Sequence, residues 1–168
     1  VFLVIDTTTS SNAEDMGRDE NGAPITRLDV MKADAMKVAE AYGGARYSVI
    51  SFDNGAVMRM PLVSDPTALR STLDTLEVEI ADYAGGSSID EALPTLVTRL
   101  HGAQERHPER LRLVFYFGDG EQTRDTPPGS MADAAQYISD GAVFGYGTER
   151  GGPMRPNLEF GDDDAQAP

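Results

Sequence analysis

Five apolar residues, Val1-Phe-Leu-Val-Ile5, run unbroken into Asp6. An uninterrupted β-favouring run of this kind predicts a strand buried on both faces, as at the centre of a parallel sheet. That one feature confines the chain to architectures in which a sheet is covered on each side. After Asp6 every residue from Thr7 to Ser11 carries a hydroxyl, and Asn12 follows. A carboxylate at the end of a buried strand, with hydroxyls at alternate positions beyond it, puts Asp6, Thr8 and Ser10 within reach of one point. Hard cations such as Mg²⁺ take oxygen ligands of this type. The same residues also suit a plain polar turn whose hydroxyls bond the backbone and cap a helix.

The length of 168 residues predicts one domain with a sizeable core. A formal net charge of −14 argues against binding nucleic acid or an anionic membrane surface, since both need a basic face, and is compatible with cation binding. No apolar run approaches the ~20 residues of a membrane span, and no signal peptide is evident. Without cysteine there is no disulfide framework and no thiol chemistry.

Along the chain, residues 12–26 read as a polar loop. Thr26 and Asp29 form a variant capping box, and Leu28, Met31, Ala35, Val38, Ala39 and Tyr42 recur at helical spacing until Gly43-Gly44. Tyr47–Phe52 and Ala56–Val63 read as strands joined through Asp53-Asn54-Gly55, a strong hairpin signal, and Pro61 places the second strand on the sheet edge. Ser64-Asp65-Pro66 starts a short helix with Leu69, Leu73 and Leu76 inward. A loop over 77–86 ends in Gly85-Gly86. A helix with Ile89, Ala92, Leu93, Leu96, Val97 and Leu100 inward follows, with Ser87 or Ser88 at or near its N-cap. Leu111–Phe117 is a second apolar strand, ending in Gly118-Asp119-Gly120-Glu121. Residues 131–139 read as a helix with Ala132, Ala135 and Ile138 inward, and Gly141–Gly147 as a last strand. Residues 1–150 form the domain; 151–168 read as a Gly-rich, acidic tail, disordered or a truncated end of the domain.

The order β-α-β-β-α-α-β-α-β predicts an α/β fold: a doubly wound, Rossmann-like open sheet, mostly parallel with one antiparallel edge strand, and helices on both faces. Ligands of such sheets bind beyond the carboxyl ends of the strands, near the switch in strand order, where Asp6 and Asp119 both fall.

Taken together, Asp6-Thr7-Thr8-Thr9-Ser10, the loop Gly85-Gly86-Ser87-Ser88 and the strand end Gly118-Asp119-Gly120-Glu121 resemble the von Willebrand factor type A (VWA) domain and its metal-ion-dependent adhesion site. The family pattern is Asp-x-Ser-x-Ser, then a Thr in a mid-chain loop, then an Asp after a later central strand. Thr8 departs from Ser and Ser87 from Thr, each keeping the hydroxyl. The resemblance implies a non-enzymatic, divalent-cation-dependent protein-binding module. Its metal would be Mg²⁺, or Mn²⁺ or Ca²⁺, held by Asp6, Thr8, Ser10, Ser87 and Asp119. The open position would receive a carboxylate from a protein partner. Ser88 stands as an alternative to Ser87.

Asn12–Asp15, Pro61–Asp65, Gly85-Gly86 and Gly145–Met154 further resemble bacterial membrane-anchored VWA proteins, such as the Bat-type and related partners of MoxR AAA+ ATPases. That branch implies a soluble domain outside the bilayer, anchored to the cell membrane through segments not in this chain. Glu14 and Asp15 are candidates for a second cation or a partner surface, against ordinary solvated loop charges.

A competing reading is a phosphoryl-transfer hydrolase of the haloacid dehalogenase type using Asp6. Such enzymes need a second Asp two residues on as acid/base, where this chain has Thr8. A nucleotide-binding module lacks its Gly-rich run after the first strand.

Overall fold

The computed structural model describes residues 1–81, 84–124, 127–154 and 157. Its five strands are β1 (Phe2–Asp6), β2 (Tyr47–Phe52), β3 (Ala56–Val63), β4 (Leu113–Gly118) and β5 (Asp140–Gly145). They form one sheet in the order β3-β2-β1-β4-β5. β1 runs parallel to β2 and β4, and β4 parallel to β5; the β2–β3 hairpin is antiparallel and puts β3 on the edge. The helices are α1 (Arg27–Ala41), α2 (Pro66–Asp74), α3 (Leu93–Arg106) and α4 (Ala132–Ala135), with a 3-10 turn over Thr9–Asn12.

The first strand behaves as its composition demands. Leu3 and Ile5 point into a core with Leu28, Met31 and Ala35 of α1 and Leu69 and Leu73 of α2. Phe2 and Val4 point into a second core with Leu96 and Leu100 of α3 and Ala134 of α4. Alternate side chains of one strand therefore anchor both helical layers, which is what a doubly wound sheet requires.

Local signals fix the helix ends. The capping box is closed: Asp29 N–H donates to Thr26 Oγ1 (3.1 Å) and Thr26 N–H to Asp29 Oδ2 (3.0 Å). Asp65 caps α2 by accepting from Thr67 N–H (2.8 Å), with Pro66 in the first turn.

Three expectations need correction. Neither Ser87 nor Ser88 caps α3, whose N-cap is Ala92; residues 89–92 form turns before Leu93, and Pro94 sits in the first helical turn, where a missing N–H costs nothing. The helix expected over 131–139 is one short turn, and Ala134 faces inward while Ala132 and Ala135 are exposed. With so few apolar residues to bury, only the turn that meets α3 is held, and Ser139 N–H is already bonded to Arg112 O (2.8 Å) as the chain enters β5. The strand expected from Leu111 begins at Leu113, leaving Leu111 75% exposed.

Of the expected tail, Glu14 N–H donates to Pro153 O (2.9 Å), Ala13 bridges Met154, and Asn157 Nδ2 donates to Val78 O (2.9 Å). Residues 155–156 and 158–168 lie outside the described residues. Among the described residues no helix is long and apolar enough to cross a membrane.

Candidate metal site

The strand order reverses direction about β1: the chain leaves it for β2 on one side and returns to β4 on the other. The crevice at the carboxyl ends of β1 and β4 is thus the switch point. Asp6 is the last residue of β1 and is 4% exposed. Its Oδ1 accepts from Thr8 N–H (2.9 Å) and Thr8 Oγ1 (2.6 Å), and Thr8 Oγ1 lies 3.1 Å from Ser10 Oγ. The 3-10 turn after Thr8 folds the loop back so that these alternate hydroxyls gather over the carboxylate.

No ion pair reaches Asp6 among the described residues. Burial is the main cause that pushes its pKa up to about 6, the Thr8 hydrogen bonds oppose the shift, and the nearby Asp119 charge adds to it. Ser11 Oγ is buried without a well-formed hydrogen bond, close enough to Asp6 to favour its ionised form. A buried carboxylate facing another carboxylate is costly unless a cation joins them.

Asp119 follows β4. Its Oδ1 accepts from Glu121 N–H (3.0 Å) and its Oδ2 from Arg27 Nη1 (2.9 Å). Gly118 permits the approach of the two strands: a Cβ there would lie 3.1 Å from Asp6 Oδ2. Tyr116, on the same strand, donates its hydroxyl to Ile89 O (2.9 Å), and burial together with Asp6, Asp119 and Asp90 raises its pKa.

The mid-chain loop is tied to the Asp119 loop. Ser87 N–H donates to Thr123 Oγ1 (2.7 Å), and Thr123 N–H returns to Ser87 O (3.0 Å). Gly86 takes a left-handed φ of +88° to turn the chain into this pairing. Ser88 Oγ is taken by Asp90 and Gln122. Ser87 Oγ has no hydrogen bond among the described residues, so of the two serines it is the one left available.

The structure therefore joins Asp6, Thr8 and Ser10 directly and sets Asp119 within electrostatic reach of Asp6. Ser87 is brought to the Asp119 loop, with no hydrogen bond to Asp6, Thr8 or Ser10.

Two residues that sequence reasoning undervalued complete the surroundings. Arg27 Nε and Nη2 hold Asp15 Oδ1 (3.0 Å) and Oδ2 (2.8 Å) in a two-pronged pair, and Asp15 also accepts from Thr148 N–H (3.0 Å). Asp15 is thus a buried structural anion, and Arg27 is the main cause that its pKa lies below the usual carboxylate range. Glu79 Oε1 accepts from Thr9 N–H and Thr9 Oγ1 (3.2 Å each), while its Oε2 is buried without a partner. A single arginine opening a helix carries no signal of these contacts; only the fold makes them.

The donor set is two carboxylates with hydroxyls. Among the described residues no three His, Cys, Asp or Glu side chains converge. Mixed oxygen donors of this kind suit a hard divalent cation that keeps part of its water shell, and the orphaned carboxylate charge at Asp6 leaves room for one. A cleft of about 1130 Å³ lies at the opposite end of the sheet, lined by residues such as Tyr42, Arg46 and Leu113.

Fold and site together define an open α/β domain with a hydroxyl-and-carboxylate loop cluster at its switch point. The model of the von Willebrand factor type A domain matches residues 1–122, and the chain belongs to that family. No curated protein matches the sequence. Similar solved structures include an aerotolerance-related membrane protein from Bacteroides fragilis, with TM-score 0.71 and 19% identity over 96% of this chain and 73% of that one. BatB from Bacteroides thetaiotaomicron is similar with TM-score 0.63 and 17% identity, over 91% of this chain and 69% of that one. Proximal thread matrix protein 1 from the mussel byssus, whose MIDAS motif is occupied by zinc, has TM-score 0.64 and 16% identity over 88% of this chain and 38% of that one. At these identities the likeness shows the fold.

Proposed function

We propose that the domain is a divalent-cation-dependent protein-binding module rather than an enzyme. The observation that carries this reading is the buried Asp6 carboxylate, ringed by Thr8 and Ser10, paired with no cation among the described residues and close enough to feel the charge of Asp119. Thr8 and Ser10 hydroxyls would hold Mg²⁺, or Mn²⁺ or Ca²⁺, with Asp6, Asp119 and Ser87 acting directly or through water. The zinc-bearing site of the mussel protein supports a metal in this fold. When bound, the ion supplies a Lewis-acidic position for a carboxylate from a partner. The chain's own donors are largely neutral hydroxyls, which leave an ion electron-poor and receptive to such a ligand.

The likeness to an aerotolerance-related membrane protein supports a cell-membrane-anchored protein with this domain outside the bilayer; a MoxR-type AAA+ ATPase as its partner rests on the sequence resemblance alone. Against the phosphatase reading, Thr8 occupies the position of the acid/base and donates to Asp6 instead.

Titrating Mg²⁺ into the domain is expected to raise its melting temperature, equivalent to about 1–3 kcal/mol at ~10–100 Kd, and Asp119→Ala to abolish the effect. No Mg²⁺- or Mn²⁺-dependent shift in the wild type would overturn the site. Turnover of a generic phosphomonoester that Asp6→Asn abolishes would overturn the binding-module reading.

A further inference from the structure

Arg27 reaches the candidate site directly, through Asp119, and no metal ligation pattern calls for it. Its guanidinium is shared: two nitrogens clamp Asp15 and the third donates to Asp119 Oδ2. The side chains of Arg27, Asp15 and Asp119 are 13%, 2% and 2% exposed, so these charges interact in a poorly hydrated place. Gly147 secures the arrangement. Its φ is +117°, and a Cβ there would stand 3.0 Å from the Arg27 Cζ.

We propose that Arg27 is a positioning residue that sets the charge of the site, weakening its hold on the metal so that the loaded site stays receptive to an acidic ligand. This rests on the metal reading above. Asp119 offers one oxygen to Glu121 N–H and the other to Arg27. Arg27 and a divalent ion thus draw on the same carboxylate, and each lowers what it gives the other. Three carboxylates (Asp6, Asp15, Asp119) stand against one guanidinium and a divalent ion, and the Glu79 carboxylate held on Thr9 adds a further negative charge beside them. Removing the guanidinium makes the loaded site one charge more negative and more repulsive toward a partner's carboxylate. Arg27 therefore trades metal affinity for affinity toward an anionic ligand.

A purely structural clamp predicts that losing Arg27 weakens everything, whereas charge setting predicts opposite signs. Mg²⁺ affinity by isothermal titration calorimetry and metal-free melting temperature separate them. Arg27→Gln is expected to lower the metal-free melting temperature yet bind Mg²⁺ on the order of tenfold more tightly. Arg27→Lys, which keeps the charge and loses the fork, is expected to bind Mg²⁺ close to wild type. Asp15→Asn, which leaves Arg27 and removes an anion, is expected to bind Mg²⁺ several-fold more weakly. Equal or weaker Mg²⁺ binding by a folded Arg27→Gln overturns the proposal. If that variant does not fold, unchanged or tighter binding by Asp15→Asn overturns it. Absence of Mg²⁺ binding in the wild type is a different failure, since it removes the metal reading itself.

Discussion

Asp6 carries an electrostatic load that single residues rarely bear. Its folded pKa stands near 6 against the ordinary 3.8, chiefly through burial, so the folded state holds the proton more tightly than the unfolded one. The corresponding stability is fully present below about pH 3.8 and is lost as the pH rises through about 6. At pH 7 the ionised carboxylate costs the metal-free domain on the order of 1–3 kcal/mol. Asp6→Asn keeps an oxygen for Thr8 to bond and removes that charge. Urea melts of the metal-free protein are expected to show the variant more stable than wild type at pH 7, with the gap closing by pH 4. A gap that is absent at pH 7, or reversed, would show that Asp6 already has a compensating cation. Asp15 and Asp90 have lowered pKa values, Asp15 chiefly through its hydrogen bonds from Arg27 and Asp90 through that from Ser88. Their stabilisation is present above the ordinary Asp pKa and fades as the pH falls through their folded values, opposite in sign to Asp6.

Among the elements, β5 depends most on a detail of close packing. Val114 of β4 and Gly141 of β5 are register partners, and a Cβ on Gly141 would stand 1.9 Å from the Val114 carbonyl oxygen. Neither backbone can yield without opening the parallel pair. Gly141→Ala is expected to destabilise the domain by about 1–3 kcal/mol, read as a lower urea midpoint. A midpoint within error of wild type would mean that β5 slides freely on β4. The prediction belongs to the element because β5 is otherwise weakly held, with Val143 78% exposed and Phe144 stacked on Phe117 at 5.0 Å. At the other edge, Pro61 and the β2–β3 hairpin appear where the sequence puts them, because their signals are local: a turn dipeptide and a missing N–H.

For the whole molecule, net charge and charge placement tell different stories. The formal charge of −14 spoke against a basic face. Yet Arg46, Arg106, His107, Arg110 and Arg112 line the large cleft at the amino ends of the strands, with Glu109 beside His107 and Arg110. Four arginines gather at one end and the candidate metal site lies at the other. Composition sees only the average. The large net charge also predicts self-repulsion that any salt relieves, so metal binding has to be told apart from screening. Raising KCl is expected to raise the melting temperature of wild type and Asp119→Ala alike. MgCl₂ added at constant ionic strength is expected to raise only that of the wild type. An equal Mg²⁺ response in both would assign the effect to screening.

Signals between near neighbours in the chain were enough for the architecture and the motif loop. An unbroken apolar β1, helical periodicity in α1 and a capping box at Thr26 are signals between near neighbours in the chain, and such signals survive translation into structure. Asp6, Thr8 and Ser10 were legible for the same reason, since one turn brings them together. Tertiary structure decided what distant segments do to one another. It drew Ser87 to Thr123 while committing Ser88 to Asp90 and Gln122, moved the start of α3 to Leu93, and spread Arg27 between Asp15 and Asp119, 92 positions apart in the case of Arg27 and Asp119. No local pattern encodes those contacts, because they are selected by which loops the sheet order carries to the same end. The reach of Asp6 is therefore written in the five residues Asp6 to Ser10, and the charge it works against is written across the whole fold.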